Sequence, residues 1–319
     1  MRSEIIQDFA PCNQDCVFCN APEIKPGLRT EETKATIKAL IEDGVDMICI
    51  SGGEPTLRSD LAEVIRYAKE LGAKEVDLYT NAVRLDNLSY ARSIVNAGLD
   101  SAFIPIHHRD EIVSDMLTRA PGTHARTIKG IRNLNKLGVS ITVNTVINTV
   151  NYKDLENFAK FVIKKLPFAK AISFSFVMSG MRAQRNPALV PKMSEAAPYI
   201  IKAYEVCIKH DMPFNNPICG VPVCFMPEYY HFNGEYQMLK QMIFSVRSAI
   251  KKNQTEKVQV EACGECVFND CCFGLWRGYL KIHGAGEVKP VREWPVGREV
   301  DWGEWNRRSE KVDRKDGGK

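Results

Sequence analysis

No apolar run in this sequence reaches the ~18–20 residues that a membrane span needs. The N-terminus also lacks the basic-then-apolar pattern of a secretion signal. Charge of one sign is scarce: a net charge of +4 is too small to argue for a nucleic-acid partner. There is no internal repeat and no low-complexity block, which argues against solenoid architectures. What remains is ordinary soluble globular composition, 45% hydrophobic and 26% charged. The 319 residues allow one large core with an appendage, since an α/β barrel alone often takes roughly 200–250 residues. Cysteine is the exception to this scarcity. Eleven is a high and odd count, and without a secretion signal it points to metal sites in a reducing cytoplasm rather than to disulfides.

The organising stretch is Cys12-Asn13-Gln14-Asp15-Cys16-Val17-Phe18-Cys19, a CxxxCxxC spacing after the apolar run at residues 5–10. Thiolates from one loop commonly hold iron–sulfur clusters. Three of them can hold three irons of a [4Fe-4S] cube and leave the fourth open, and an open position separates a reactive metal from a closed structural one. A zinc knuckle, or three unrelated buried thiols, also fits the spacing. Further on, Ile48-Cys49-Ile50-Ser51-Gly52-Gly53-Glu54-Pro55 reads as a strand ending in a glycine-rich turn.

With these residues the sequence resembles the radical S-adenosylmethionine (SAM) superfamily. The resemblance rests on CxxxCxxC after the first strand, Phe18 just before the third cysteine, and the Gly-Gly-Glu-Pro turn after the second. It implies that Cys12, Cys16 and Cys19 hold a [4Fe-4S] cluster whose open iron takes the amine and carboxylate of SAM. It also implies that a reductant of flavodoxin or ferredoxin type supplies the electron. The cofactor carries the chemistry, while the protein orients it and excludes water. Gly52 and Gly53 would let the backbone approach the methionyl amine, with Glu54 and Pro55 completing the turn. Phe18 would lie near the adenine, or serve as a core aromatic.

Up to about residue 180, β-branched runs alternate with helical patterns. The strand candidates are Ile5–Ala10, Met47–Ser51, Glu75–Thr80, Ser101–Ile106, Ser140–Ile147 and Ala171–Val177. Thr30-Glu31-Glu32 opens a helix, with carboxylates at the positive end of its dipole. Ser59 begins an imperfect capping box, and Gly72 and Gly138 read as helix C-caps. The alternation argues for an α/β fold with a parallel barrel, complete or partial. The resemblance implies a partial (β/α)6 barrel. In such barrels the chemistry gathers at strand C-termini, where the cysteine loop and the glycine turn both lie. Asn81, in Thr80-Asn81-Ala82, resembles the family's Thr-Asn-Gly with alanine replacing the glycine. Asn144 on the fifth strand would point into the barrel mouth, or belong to a plain half-buried strand.

His107 and His108 follow the fourth strand, where relatives often carry a Ser-Leu-Asp-like sequence. They are the catalytic candidates, for binding an anionic substrate or relaying protons, against packing on the rim. Gly122-Thr123-His124 is a weaker candidate, as are Ser173, Ser175 and Arg182.

From Cys219 the composition changes. Cys263-Gly264-Glu265-Cys266 and Cys272 give CxxCx5C, and Cys219 with Cys224 gives Cx4C. This resembles the SPASM and twitch extensions, which hold auxiliary [4Fe-4S] clusters. Residues 273–319 contain no further cysteine, so one auxiliary cluster is expected rather than two. The preferred ligands are Cys219, Cys263, Cys266 and Cys272, with Cys224 and Cys271 in reserve. A closed zinc site would use the same thiolates, and a three-cysteine open cluster is a further variant. Cys49 and Cys207 fall in apolar patterns and read as core.

The expected organisation is a barrel over residues 1–212, a cluster-binding extension over 213–306 and a flexible tail over 307–319. The extension contains an amphipathic helix over 235–252 and the aromatic group Tyr229-Tyr230-His231-Phe232, read as core. The expected function is a cytoplasmic radical SAM oxidoreductase or maturase. Its radical would abstract hydrogen from a small molecule or a peptide. The first cysteine at residue 12 leaves no room for a leader-peptide domain, which tilts the expectation toward a small molecule. The alternative is a cysteine-rich zinc or iron–sulfur binding protein without radical chemistry.

Overall fold

The computed structural model describes residues 2–9, 11–20, 28–178, 181–242 and 256–298. Seven strands form one open sheet in chain order: β1 (Ser3–Phe9), β2 (Met47–Gly52), β3 (Glu75–Tyr79), β4 (Ser101–Pro105), β5 (Ser140–Ile147), β6 (Ala171–Phe176) and β7 (Phe214–Asn215). Neighbours from β1 to β5 pair in parallel, as do β6 and β7. The helices are α1 (Thr30–Glu42), α2 (Leu61–Glu70), α3 (Leu88–Asn96), α4 (Glu111–Thr118), α5 (Thr123–Lys136), α6 (Leu155–Lys165), α7 (Met181–Arg185), α8 (Met193–Lys209), α9 (Gly234–Lys240) and α10 (Arg277–His283). Among the described residues no helix is long and apolar enough to cross a membrane.

The chain divides into two compact units, Met1–Asn144 with Lys164–Ala171, and Thr145–Ile163 with Ile172–Asn306. The division falls inside β5. The expected tail at 307–319 and Trp302 and Trp305 lie outside the described residues, as do positions 243–252 of the expected amphipathic helix.

In the first unit, alternation along the strands decides which face is covered. Ile48, Ile50, Val76, Leu78, Ala102, Ile104, Ile141 and Val143 are at most 1% exposed. The opposite face carries Ser51, Asp77, Tyr79, Ser101, Phe103 and Thr142, all partly exposed. Burial of eight such apolar side chains, at roughly 1.5–3 kcal/mol each, is a main source of this sheet's stability.

Helix α1 opens at Thr30 with Glu31 and Glu32 in its first turn, as expected, whereas the cap of α2 differs from the sequence expectation. The capping box of α1 runs between Arg29 and Glu32, whose carboxylate takes the Arg29 N–H at 2.9 Å. At α2 the N-cap is Asp60, not Ser59, and its carboxylate is taken by Arg58 at 2.7–2.9 Å and Thr30 at 2.6 Å. Gly72 and Gly138 follow their helices at φ 98° and 83°, as C-cap glycines do.

In the second unit, β7 pairs Phe214 with Ile172 and Asn215 with Ser173. The sequence carries little sign of this strand because Pro213 and Pro217 confine it to two residues. Its Phe214 stacks between Tyr204 and Phe232 at ring separations of 4.3 and 4.4 Å. Tyr230 meets Phe268 at 5.5 Å, but of the aromatic group at 229–232 only Phe232 is buried, while Tyr229, Tyr230 and His231 are partly exposed. A two-stranded antiparallel ribbon, β8 (Lys257–Val258) with β9 (Leu275–Trp276), completes this unit.

Candidate functional site

The cysteine loop leaves β1 without regular structure of its own, so its backbone groups must find partners elsewhere. The end of α4 supplies them. The last carbonyls of a helix lack intrahelical donors; here Leu117 O accepts from Val17 N at 3.0 Å and Thr118 O from Asp15 N at 2.9 Å. Arg119 then ends the helix at φ 50°, and its guanidinium pairs with Asp15 at 3.2 Å. Gln14 donates to Thr123 Oγ1 at 3.1 Å, and Cys19 N to Cys16 O at 3.1 Å. Cys12 is exposed and Cys16 and Cys19 partly so, as groups that receive a ligand from outside must be. Burial among neighbouring atoms raises the Cys12 pKa, and the charges of Glu54 and Cys19 raise it further.

The glycine turn is fastened to this loop by Glu54 N, which donates to Pro11 O at 2.8 Å. Gly52 sits at φ 140°, and Gly52 and Gly53 are both partly exposed. Glu54 itself turns inward. Its buried carboxylate accepts from Thr56 N at 2.9 Å, Thr56 Oγ1 at 2.5 Å, Thr80 Oγ1 at 2.6 Å and Asn81 N at 2.7 Å. Burial raises its pKa while these donors lower it. The residue therefore clamps the ends of β2 and β3 together, and its oxygens are already engaged.

Asn81 is buried and bridges. Its amide donates to Asn13 Oδ1 at 2.6 Å and lies 3.9 Å from Cys12 Sγ, while its Oδ1 accepts from Val83 N at 3.0 Å. Ala82 keeps the left-handed conformation, φ 58°, that the family's glycine would adopt. The turn survives the substitution because it is held from both sides: Thr127 donates to Asn81 O at 2.8 Å and Thr80 Oγ1 accepts from Ala82 N at 3.0 Å. Helix α5 comes close enough only because residue 130 is glycine; a Cβ there would stand 2.3 Å from Ala82 O.

Phe18 is buried and meets the His107 ring edge-on at 4.7 Å. Burial pushes the His107 pKa down to about 4, so the ring is neutral near pH 7. His108 Nδ1 accepts from Asp110 N at 3.0 Å, shaping the turn in which Asp110 Oδ1 caps α4 through Val113 N at 3.1 Å. Asn144 is buried opposite Pro105 on β4, and its carbonyl accepts from Ile106 N at 2.8 Å. Gly122 and His124 donate backbone N–H groups to Asp115 at 2.5 and 2.9 Å, which starts α5. Sequence reasoning did not single out Asn13, Gln14 or Gly130. Their proximity in the chain to Cys12 was a signal only for the first two.

The second unit holds the C-terminal cysteines. Cys224, Cys263, Cys266 and Cys272 line one small cavity, with Phe268 and Leu275 among the apolar walls. Cys263 lies in the 3₁₀ turn Glu261–Glu265, and Cys266 N donates to Cys263 O at 3.2 Å. The thiols feel one another: burial drives the Cys224 pKa to about 12, and Cys266 and Cys263 add to the rise. Cys272 is likewise raised by burial, with Glu235 and Cys224 contributing. Among the described residues no three such side chains converge on a single-ion position. Four cysteine thiols are the donor set of either an iron–sulfur cluster or a zinc site.

Cys219, preferred on sequence, is not among the residues lining this cavity; Cys224 takes that place. The Asn216 side chain closes a tight loop, accepting from Val221 N at 2.9 Å and donating to Val221 O at 2.7 Å. Gly220 is required there, since a Cβ would fall 1.5 Å from Asn216 Oδ1. The loop sends the Cys219 carbonyl to Phe176 N at 3.1 Å and its thiol to Ser175. Cys271 packs against the Phe268 core, as Cys266 and Cys272 do, but does not line the cavity. Ser173 and Ser175 are buried on β6, Arg182 is half-buried on α7, and Cys49 and Cys207 are core.

The model of the radical SAM superfamily matches residues 9–162. The chain is 32% identical over 157 residues to a probable GTP 3′,8-cyclase of Sulfurisphaera tokodaii, covering 48% of this chain and 49% of that protein. It is 28% identical over 204 residues to a 7,8-dihydro-6-hydroxymethylpterin dimethyltransferase of Methanocaldococcus jannaschii, covering 61% of this chain and 39% of the other. The chain spans about half the length, or less, of these curated relatives. Among solved structures, anSMEcpe with bound AdoMet and a peptide matches with a TM-score of 0.63 at 11% identity, covering 97% of this chain and 96% of that one. SuiB of Streptococcus suis, bound to its precursor peptide SuiA, matches with a TM-score of 0.54 at 17% identity, covering 67% and 48%. At such identities these two likenesses speak for the fold alone. Residues 9–162 of this chain belong to the radical SAM superfamily.

Proposed function

We propose that this chain is a radical SAM enzyme with two iron–sulfur sites. Cys12, Cys16 and Cys19 hold the first, with Gly52 and Gly53 offering backbone to the methionyl group of SAM and Phe18, Asn81 and Asn144 framing the same strand ends. A reduced [4Fe-4S] cluster held there would supply the electron that cleaves SAM into methionine and a 5′-deoxyadenosyl radical, able to take hydrogen from a carbon of the substrate. Cys224, Cys263, Cys266 and Cys272 hold an auxiliary cluster that aids substrate oxidation or binding. The observation that carries this reading is the anchoring of the cysteine loop: three accessible thiols on a backbone fixed by Leu117, Thr118 and Glu54. Preorganised ligands on a rigid frame are what a reactive metal site needs.

The two curated relatives above are named for GTP and for a pterin, which favours a small heterocyclic substrate over a peptide. A flavodoxin- or ferredoxin-type protein would deliver the electron. The test is anaerobic reconstitution with iron and sulfide, then reduction in the presence of SAM. Expected are about eight irons per chain and release of 5′-deoxyadenosine that depends on Cys16. Zinc uptake without iron, or iron without SAM cleavage, would overturn the reading.

A further inference from the structure

One ion pair in the second unit is buried almost completely. Lys257 Nζ lies 2.5 Å from Glu235 Oε2, and the two side chains are 1% and 4% exposed. Taking such a pair out of water is costly and persists only where the remaining donors and acceptors are satisfied. Here they are satisfied by the segments that carry cysteines. The ammonium also donates to Ile218 O at 2.7 Å, beside Cys219, and faces the Trp276 ring at 4.8 Å. The other carboxylate oxygen takes the N–H of Phe273, next to Cys272. The following N–H, of Gly274, points to Cys272 Sγ at 3.3 Å. Gly274 stands at φ 89°, and a Cβ there would lie 2.2 Å from Val258 O, so glycine is required. Gln259 holds the other side of the loop, donating to Cys272 O at 2.9 Å and Asn269 O at 2.7 Å.

We propose that Glu235 and Lys257 are positioning residues of the auxiliary site, fixing the Cys272–Gly274 backbone and balancing charge beside it. This rests on the auxiliary-cluster reading above. Glu235 occupies one N–H of the turn, which leaves the next directed at the ligand sulfur. Lys257 cancels a carboxylate that would otherwise act on that sulfur through a medium of low dielectric. The pair is neutral as a unit, so removing either charge leaves one of known sign. A lone ammonium favours the more negative, reduced state of the site, and a lone carboxylate opposes it.

The experiment uses the full-length chain with Cys12, Cys16 and Cys19 all changed to alanine, so that only the auxiliary site binds iron. Redox titration followed by electron paramagnetic resonance gives its midpoint potential, and iron content is measured alongside. E235Q should raise the midpoint and K257M lower it. Each should move the oxidised-to-reduced ratio at fixed potential at least tenfold, about 59 mV for a one-electron couple. K257R should stay near the parent value. Should either single variant fail to hold iron, the neutral double variant E235Q/K257M decides, because the amide oxygen introduced by E235Q can still accept from Phe273 N. Iron at the parent midpoint supports the proposal, and no iron overturns it. Unmoved midpoints, or shifts of the same sign, in iron-loaded single variants overturn it alone. A parent that binds no iron overturns the auxiliary-cluster reading as well.

Discussion

Asn81 Nδ2 donates to Asn13 Oδ1 at 2.6 Å, tying the end of the third strand to the loop that carries Cys12. The loop has no secondary structure of its own, so this bridge and the α4 carbonyls set where its thiols stand. Replacing Asn81 by alanine should loosen the loop without unfolding the sheet. SAM cleavage should fall about tenfold, the equivalent of one well-placed hydrogen bond at ~1.4 kcal/mol. Iron bound at the first site should fall with it. Unchanged cleavage in N81A would show that Asn13 and Cys12 are held adequately without it.

Gly130 meets the Ala82 carbonyl across a gap that no side chain fits, with a Cβ placed 2.3 Å from the oxygen. The obstructing atom is backbone, so it cannot swing aside. Gly130→Ala should push α5 off the Asn81 turn and cost about 1–3 kcal/mol of stability. That loss outweighs the gain of up to about 1 kcal/mol that alanine normally brings to a helix interior. The urea midpoint should fall; a midpoint that rises would mean the close approach matters less than helix propensity.

His107 should make stability depend on pH in a definite direction. Its folded pKa, about 4, lies below the usual 6.5, so the unfolded chain takes up a proton first as pH falls. Its contribution is therefore complete above pH 6.5 and is lost progressively between 6.5 and 4. Between pH 7 and pH 5 this loss should be about 2 kcal/mol in excess of the loss in H107F. Urea titrations of both proteins at the two pH values check it, and parallel behaviour would contradict a buried neutral imidazole.

Cys224 and Cys219 are five residues apart but have different surroundings. Cys224→Ala should remove about four of about eight irons while leaving SAM cleavage intact and stopping substrate turnover. Cys219→Ala should retain the iron. The reverse pattern in iron analysis would restore Cys219 to the ligand set.

Much of the fold was legible because its signals are local. β-Branched alternation placed the six long strands within a residue or two of their observed ends, and Gly72 and Gly138 marked helix ends by their need for positive φ. The short β7 was hidden because two residues between prolines carry no periodicity. Asp60 stands in place of Ser59 as the cap of α2, with its carboxylate held by Arg58 two residues before it and by the distant Thr30 on α1. His107 and His108 read as catalytic candidates from their place after a strand. Their contacts with Phe18 and Asp110 became visible only when the turn was folded.

The sequence by itself determined the chemistry available: three closely spaced thiols, a glycine turn after the second strand, and a second field of cysteines. Spacing sufficed because a loop of eight residues cannot carry its cysteines far apart. Tertiary structure alone decided which thiols meet. Cys219 and Cys224 are equivalent in spacing, and the Asn216–Val221 loop turns one toward Ser175 while the other reaches the shared cavity. Only packing could separate them, since a side chain's direction at a loop is set by the hydrogen bonds and close contacts of groups distant in sequence.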